Sequence, residues 1–145
     1  MKIGFIGLGI MGRPMVKNLL LAGAEVIVSD LNQEAVKDVV AAGGKEGSYA
    51  EIGAQCDKII IMVPNGAITK AILFGENGVA STIQPGSIVC DMSSVTPVES
   101  RECYTKLKEI GVGFLDAPVS GGEPGAVAGT LAIMVGGRAG TFLTQ

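Results

Sequence analysis

Histidine and tryptophan are absent from this sequence of 145 residues, and cysteine is scarce. Without histidine the chain has no imidazole to serve as a general base or a metal ligand, which excludes Ser-His-Asp hydrolysis and His-ligated zinc. The three cysteines, Cys56, Cys90 and Cys103, are an odd number at wide spacings. They therefore predict neither a CxxC metal pair nor the disulfide framework of a small secreted protein. We expect buried thiols in a reducing cytosol, and hence a cytoplasmic protein without a metal site.

Charge is also sparse, because only 17% of the residues are charged and the net charge is −3. The 11 Lys and Arg residues are scattered, so no basic patch predicts binding to nucleic acid or to an anionic membrane. The apolar segment Ile3–Ile10 is interrupted by glycines and is too short to span a bilayer. With 48% hydrophobic residues in a chain of domain size, the composition predicts one compact domain over residues 1–145.

Short apolar runs alternate with stretches of helical spacing along the chain. Several runs, such as Ile59–Val63, are continuously apolar, which is typical of strands buried on both faces. The predicted strands are Lys2–Leu8, Glu25–Asp30, Lys58–Val63, Ser87–Met92, Gly113–Ala117 and Thr130–Val135. The predicted helices are Met11–Ala22, Gln33–Ala42, Tyr49–Gln55, Ala67–Phe74 and Pro97–Glu109, and Arg138–Gln145 resembles the opening of another helix.

Signals at the helix ends agree with this pattern. Ser48–Glu51 and Thr96–Glu99 each fit a capping box, and Gly23 and Gly111 stand where helices should end. Strands that alternate with helices form parallel pairs joined by right-handed crossovers. We therefore predict an α/β fold, a Rossmann-type doubly wound and mainly parallel sheet with helices on both faces. In such folds ligands bind at the carboxyl ends of the strands.

The loop after the first predicted strand has the spacing GxGxxG, from Gly7 to Gly12. Because 22 of the residues are glycine, the number of such triplets expected by chance in this sequence is about one half. Its context is more specific, since it lies between a strand and a helix and Asp30 ends the next strand. In this context Gly7 permits a tight turn, Gly9 lets the backbone approach a pyrophosphate, and Gly12 allows close packing. The helix N-terminus would then face the phosphates of a bound dinucleotide.

Asp30 is the residue that would accept hydrogen bonds from the adenosine ribose hydroxyls. A 2′-phosphate would bring like charge to its carboxylate, and Leu31 and Asn32 offer no cation to receive it. We therefore favour NAD as the cofactor, with NADP as the alternative. Asp30 as a cap or turn residue before Gln33 also remains open.

Later loops carry further candidates. Pro64-Asn65-Gly66 either contacts the cofactor near its nicotinamide ribose or caps the next helix. Asp91 is expected to brace its loop, whereas Ser93 and Ser94 have no structural explanation in the sequence and Thr96 is both a candidate site residue and a helix cap.

The segment Asp116–Gly122 combines a strand-breaking Pro118 with two glycine amides beside the Ser120 hydroxyl. That combination suits a carboxylate, although an ordinary glycine-rich turn is the alternative.

Four segments together, Gly7–Met15, Pro64-Asn65, Asp91–Ser94 and Asp116–Gly122, resemble the β-hydroxyacid dehydrogenase family in order and spacing. The resemblance implies an NAD(P)-binding domain followed by a helical domain. It also implies hydride transfer between the nicotinamide and a small 3-hydroxy acid or semialdehyde acid such as tartronate semialdehyde. The implied cofactor contacts are Gly7, Leu8, Gly9, Ile10, Met11, Gly12, Asp30, Val63, Pro64, Asn65 and Thr96. The implied substrate carboxylate site is Ser120, Gly121 and Gly122.

The family's catalytic lysine has no match in this sequence and is expected beyond Gln145, so we assign no catalytic residue here. General acid catalysis contributes roughly 10²- to 10⁴-fold, so we expect residues 1–145 alone to bind cofactor with negligible turnover. Many relatives have a basic residue after Asp30, where this sequence has Leu31, which agrees with NAD. The full-length enzyme is expected to be a homo-oligomer.

Two other functions remain open from the sequence. One is a non-catalytic dinucleotide-binding module, and the other is an enzyme that binds S-adenosylmethionine on a similar sheet. Another semialdehyde reductase of the same family is the alternative within the preferred class.

Overall fold

A computed structural model describes residues 2–9, 11–93, 97–116, 119–120 and 132–133. The strands of its main sheet are Lys2–Ile6 (β1), Glu25–Ser29 (β2), Lys45–Glu46 (β3), Lys58–Ile61 (β4), Ile88–Asp91 (β5) and Gly113–Asp116 (β6). The helices are Gly12–Leu21 (α1), Gln33–Ala41 (α2), Tyr49–Gln55 (α3), Gly66–Phe74 (α4) and Pro97–Glu109 (α5), with a turn of 3-10 helix at Val79–Ser81. Two short strands, Val119–Ser120 (β7) and Ala132–Ile133 (β8), form a separate pair.

The main sheet has the strand order β3-β2-β1-β4-β5-β6, and every neighbouring pair in it is parallel. The order reverses between β1 and β4, because the chain first builds the sheet outward from β1 to β3 and then crosses back to β4. The carboxyl ends of the central strands are level, since Ile6 pairs with both Ser29 and Ile61. A doubly wound sheet binds its ligand at such a reversal, so this edge is where a site is expected.

The core lies on both faces of the sheet. Successive residues of a strand point to opposite faces, and Phe5 and Ile6 of β1 accordingly belong to two different buried clusters. Phe5 packs in a cluster with Val16 of α1 and Val36 of α2. Ile6 packs in a cluster that includes residues of α3, α4 and α5. The predicted doubly wound sheet with helices on both faces is therefore confirmed.

Most predicted elements are present with slightly shorter strands. Helices α3 and α5 have the predicted bounds, and the predicted capping box of α3 is confirmed because Ser48 and Glu51 bond reciprocally. Gly23 and Gly111 both have the positive φ expected at helix ends. No helix in the described parts of the chain is long and apolar enough to cross a membrane.

Two parts of the sheet differ from the sequence prediction. Strand β3 was not predicted, because it has only two residues, both exposed at the edge of the sheet, and no apolar run marks it. Of the predicted strand Thr130–Val135 the structure describes Ala132–Ile133, and this β8 pairs antiparallel with β7, apart from the main sheet. Parallel pairing needs a crossover connection, and no helical spacing separates this segment from β6.

Candidate functional site

The glycine loop follows β1 at the edge where the strand order reverses. Gly7 has a φ of 104°, and a Cβ there would lie 2.0 Å from the Met62 carbonyl oxygen. A Cβ on Gly12 would lie 2.1 Å from the Gly7 carbonyl oxygen. Both glycines are therefore required by the turn and by the close packing of α1 on the end of β1.

Gly9 has no such requirement within the described structure. It is exposed, its φ is not positive, and a Cβ built on it meets no atom within 4 Å. The space in front of Gly9 is open, as it must be for the backbone to approach a large anion closely. The residues therefore fit the pyrophosphate of a dinucleotide.

The first turn of α1 is also available to an anion. Asn32, Ser48 and Asn65 cap helices α2, α3 and α4 with their side chains, whereas Met11 at the start of α1 provides no side-chain cap. The first N–H groups of a helix have no partner within the helix, and the helix dipole favours negative charge there. A phosphate at this position would satisfy both conditions.

Asp30 lies directly after β2 and connects two loops. Its Oδ2 accepts a hydrogen bond from the Leu8 N–H, and its Oδ1 accepts one from the Asn32 N–H at 2.7 Å. The turn role that the sequence left open is thus present, while Asn32 rather than Asp30 caps α2. An ionised carboxylate has about four acceptor positions, so these two bonds leave capacity for ribose hydroxyls.

The loop after β4 lies on the other side of the glycine loop. Pro64 and Asn65 are exposed, and the Asn65 side chain accepts a hydrogen bond from the Ile68 N–H at 3.1 Å, which caps α4. Val63 lies against the glycine loop, since its Cγ1 is 3.2 Å from the position of a Cβ on Gly7. Capping is therefore the observed role of Asn65, and cofactor contact by this loop remains a prediction.

Ser93, which had no explanation in the sequence, is buried and joins the ends of β4 and β5. Its Oγ accepts a hydrogen bond from the Val63 N–H at 2.8 Å and lies 3.5 Å from the Ile61 carbonyl oxygen, to which it donates. Its own N–H donates to Asp91 Oδ1 at 2.9 Å. The expectation that Asp91 braces this loop agrees with that contact.

The Asp91 carboxyl is fully buried, and its Oδ2 has no hydrogen-bond partner in the described structure. Burial raises the pKa of Asp91, while contacts with Ser93 and Thr69 act in the opposite direction and the Glu99 carboxylate adds to the rise. Burying a carboxylate without full pairing is costly, so this side chain is an unusual feature of the core.

Sequence reasoning missed two side chains beneath the loop after β4. Thr69 is fully buried and its hydroxyl lies 3.5 Å from the Asn65 carbonyl oxygen. The Glu99 carboxylate lies at the first residue of α4, where a Cβ on Gly66 would come within 2.6 Å of its atoms. Negative charge at a helix N-terminus is favourable. The sequence marked Glu99 only as part of the predicted capping box Thr96–Glu99, and nothing in the sequence linked it to α4.

Several predicted site residues cannot be compared with the structure. Ile10, Ser94, Thr96, Gly121 and Gly122 lie outside the described residues, as does the segment Arg138–Gln145. For Ser120 only the backbone is described, in β7, where Ser120 pairs with Ala132 of β8. The described residues contain no group of three Cys, Asp or Glu side chains arranged to hold a metal ion.

A parallel sheet of this order, with an open glycine loop and an acidic residue after the neighbouring strand, defines the class of dinucleotide-binding domains. Residues 2–144 match the NAD binding domain of 6-phosphogluconate dehydrogenase. The chain therefore belongs to that domain family, and the relatives below place it among the β-hydroxyacid dehydrogenases.

Two relatives are similar over almost the whole chain. The 2-hydroxy-3-oxopropionate reductase of Escherichia coli (strain K12) is 42% identical over 142 residues, which are 98% of this chain and 49% of the relative. The 2-(hydroxymethyl)glutarate dehydrogenase of Eubacterium barkeri is 43% identical over 142 residues, which are 97% of this chain and 47% of the relative. These two names specify different acids.

A solved structure agrees with the fold. The crystal structure of 3-hydroxyisobutyrate dehydrogenase from Salmonella typhimurium superposes with a TM-score of 0.92 at 33% identity, covering 99% of this chain and 50% of that one. The chain thus spans about half the length of the relatives it matches.

Proposed function

We propose that residues 1–145 form an NAD(P)-binding domain whose glycine loop holds the pyrophosphate of the dinucleotide. The observation that carries this proposal is Gly9, whose missing side chain leaves open space beside the uncapped start of α1. No contact within the described structure requires a glycine there, whereas close approach of a pyrophosphate does. The residues proposed to surround the cofactor are Gly7, Leu8, Gly9, Ile10, Met11, Gly12, Asp30, Val63, Pro64, Asn65 and Thr96.

The two halves of the dinucleotide lie on opposite sides of β1 in this proposal. Asp30 at the end of β2 receives the adenosine ribose. The nicotinamide half therefore extends over the ends of β4 and β5, which lie on the other side of β1 in the same sheet. NAD is favoured over NADP because the carboxylate would repel a 2′-phosphate and Leu31, which is exposed beside it, carries no charge.

The whole protein is proposed to be an oxidoreductase that transfers hydride between NAD(P)H and a small 3-hydroxy acid or semialdehyde acid. The nicotinamide supplies the hydride chemistry when the cofactor is bound. In this chain Ser120, Gly121 and Gly122 are proposed to hold the substrate carboxylate, which would orient the reacting carbonyl. The catalytic lysine, the helical domain and homo-oligomer contacts are expected outside residues 1–145.

Tartronate semialdehyde, which is 2-hydroxy-3-oxopropionate, is the favoured substrate. The site segments resemble the enzymes that reduce it, and one such reductase is 42% identical to this chain. Another small semialdehyde acid is the alternative, because a relative of similar identity is named for a different acid.

Titration of NADH and NADPH into the purified chain tests the cofactor proposal. The absence of Trp leaves nicotinamide fluorescence free of a strong protein background. We expect saturable binding with NADH tighter than NADPH by about tenfold, equivalent to about 1.4 kcal/mol. S-adenosylmethionine should not displace NADH. Tighter NADPH binding would contradict the NAD preference, and displacement by S-adenosylmethionine would contradict the dinucleotide assignment.

A further inference from the structure

The Ser93 hydroxyl takes the place of a backbone carbonyl at the point where β4 and β5 separate. The ladder continues one residue beyond β4 on each side, since Met62 N–H donates to the Ile6 carbonyl and Met92 N–H donates to the Ile61 carbonyl. The next donor of β4, the Val63 N–H, would use a β5 carbonyl if the strands continued side by side. It donates instead to the Ser93 hydroxyl. The hydrogen-bond ladder between β4 and β5 thus ends with a bond to a side chain.

This contact fixes where the chain leaves the sheet. Val63 is followed by Pro64, which has no N–H and cannot continue a ladder, and then by Asn65, which caps α4. The Val63 side chain also lies against Gly7. The hydrogen bond from the Val63 N–H to Ser93 therefore holds the turn between β4 and α4.

Asp91 in turn fixes Ser93. The backbone of Ser93 is held because its N–H donates to Asp91 Oδ1, and the Asp91 carboxyl is buried at the end of β5. A buried carboxyl with one oxygen that has no partner among the described residues is costly to keep in a core. A positional role at the site would explain why the costly group is present.

We infer that Ser93 and Asp91 are positioning residues that hold the Val63–Asn65 turn in the geometry needed by the nicotinamide half of the cofactor. The inference rests on the proposed function, because it assumes that this turn faces the dinucleotide. The adenosine half lies on the other side of β1, at Asp30, so it should be insensitive to the Ser93 contact. A positioning role predicts that only the contribution of the nicotinamide half to affinity is lost, whereas a merely structural role predicts equal losses for both halves.

The experiment compares NADH with ADP-ribose, which lacks the nicotinamide ring, as ligands of the chain. Ser93→Ala removes the acceptor for the Val63 N–H, and we expect it to weaken NADH binding by about tenfold while ADP-ribose binding stays within about twofold. Ser93→Thr retains a hydroxyl and should restore most of the NADH affinity. Ser87→Ala is the matched control, because Ser87 is also buried but precedes the amino end of β5, and it should leave both affinities unchanged.

A second variant keeps the test decisive if Ser93→Ala does not fold. Asp91→Asn retains an oxygen that can accept from the Ser93 N–H, so we expect NADH affinity within about threefold of the wild type. An equal loss of NADH and ADP-ribose affinity in Ser93→Ala, or no loss of either, would overturn the positioning role. So would a large NADH loss in Asp91→Asn, since charge and not position would then matter. If the wild-type chain bound neither ligand, the proposed function itself would be wrong and the inference with it.

Discussion

At the scale of single residues, Asp30 combines a structural contact with a proposed binding role. Its carboxylate holds the Leu8 and Asn32 N–H groups, so it sets the geometry of the glycine loop before any ligand arrives. A substitution at Asp30 should therefore weaken the binding of every dinucleotide to some degree, because it disturbs the glycine loop. The ratio of the affinities for two dinucleotides separates this loop effect from the direct contact with the ribose.

We predict that Asp30→Asn lowers the ratio of NADH to NADPH affinity by about tenfold. Loss of the charged acceptor weakens the bond to the NADH ribose, while loss of the negative charge removes repulsion of the 2′-phosphate. Fluorescence titration of both cofactors measures the ratio. Asp57→Asn is the control, because Asp57 is exposed and precedes β4 at the opposite end of the sheet. An unchanged ratio in Asp30→Asn would remove the basis for the NAD preference.

At the scale of elements, the sequence predicted the helices and most strands because their signals are local. The capping box at Ser48 and the apolar run of β4 are both contained within a few residues. The contacts that shape the site are not local. Ser93 bonds to Val63 across 30 residues and Asp30 bonds to Leu8 across 22, and no periodicity in the sequence encodes either pairing. The site residues could thus be proposed by resemblance, but the contacts among them required the fold.

The caps of α3 and α4 allow the structural and functional roles of Asn65 to be separated. Ser48→Ala and Asn65→Ala each remove a side-chain cap, and each should lower the free energy of unfolding by about 1 kcal/mol. Only Asn65→Ala should also weaken NADH binding, since Asn65 is among the residues proposed to surround the cofactor and Ser48 is not. Urea unfolding and NADH titration of the two variants measure the two effects. Equal NADH affinities would mean that Asn65 is a helix cap and nothing more.

At the scale of the whole molecule, the sheet separates two clusters of buried side chains and keeps all three cysteines away from solvent. Burial raises the pKa of Cys56 and of Cys103 to about 11. A thiol in the unfolded chain has a pKa of about 9. Below that pH the buried, protonated thiols make their full contribution to the stability of the folded state, and this contribution is lost as the pH rises toward 11. Stability should fall with pH in this interval.

We predict that the cysteines of the folded chain resist alkylation at pH 8. Iodoacetamide reacts with the thiolate, and buried thiols of raised pKa are protonated as well as inaccessible. Mass spectrometry should find the native chain largely unmodified at a time when the chain in urea carries three labels. Rapid labelling of the native chain would contradict the described core.

The open space at Gly9 is proposed to receive the cofactor pyrophosphate, and the variant Gly9→Ala tests this role. The added methyl group meets no atom of the described residues within 4 Å, so the free energy of unfolding should stay within about 0.5 kcal/mol of the wild type. NADH affinity, measured by titration at equilibrium, should fall by at least about tenfold because the methyl group occupies the path of the pyrophosphate. A stable Gly9→Ala chain that binds NADH as tightly as the wild type would show that the pyrophosphate does not bind at Gly9.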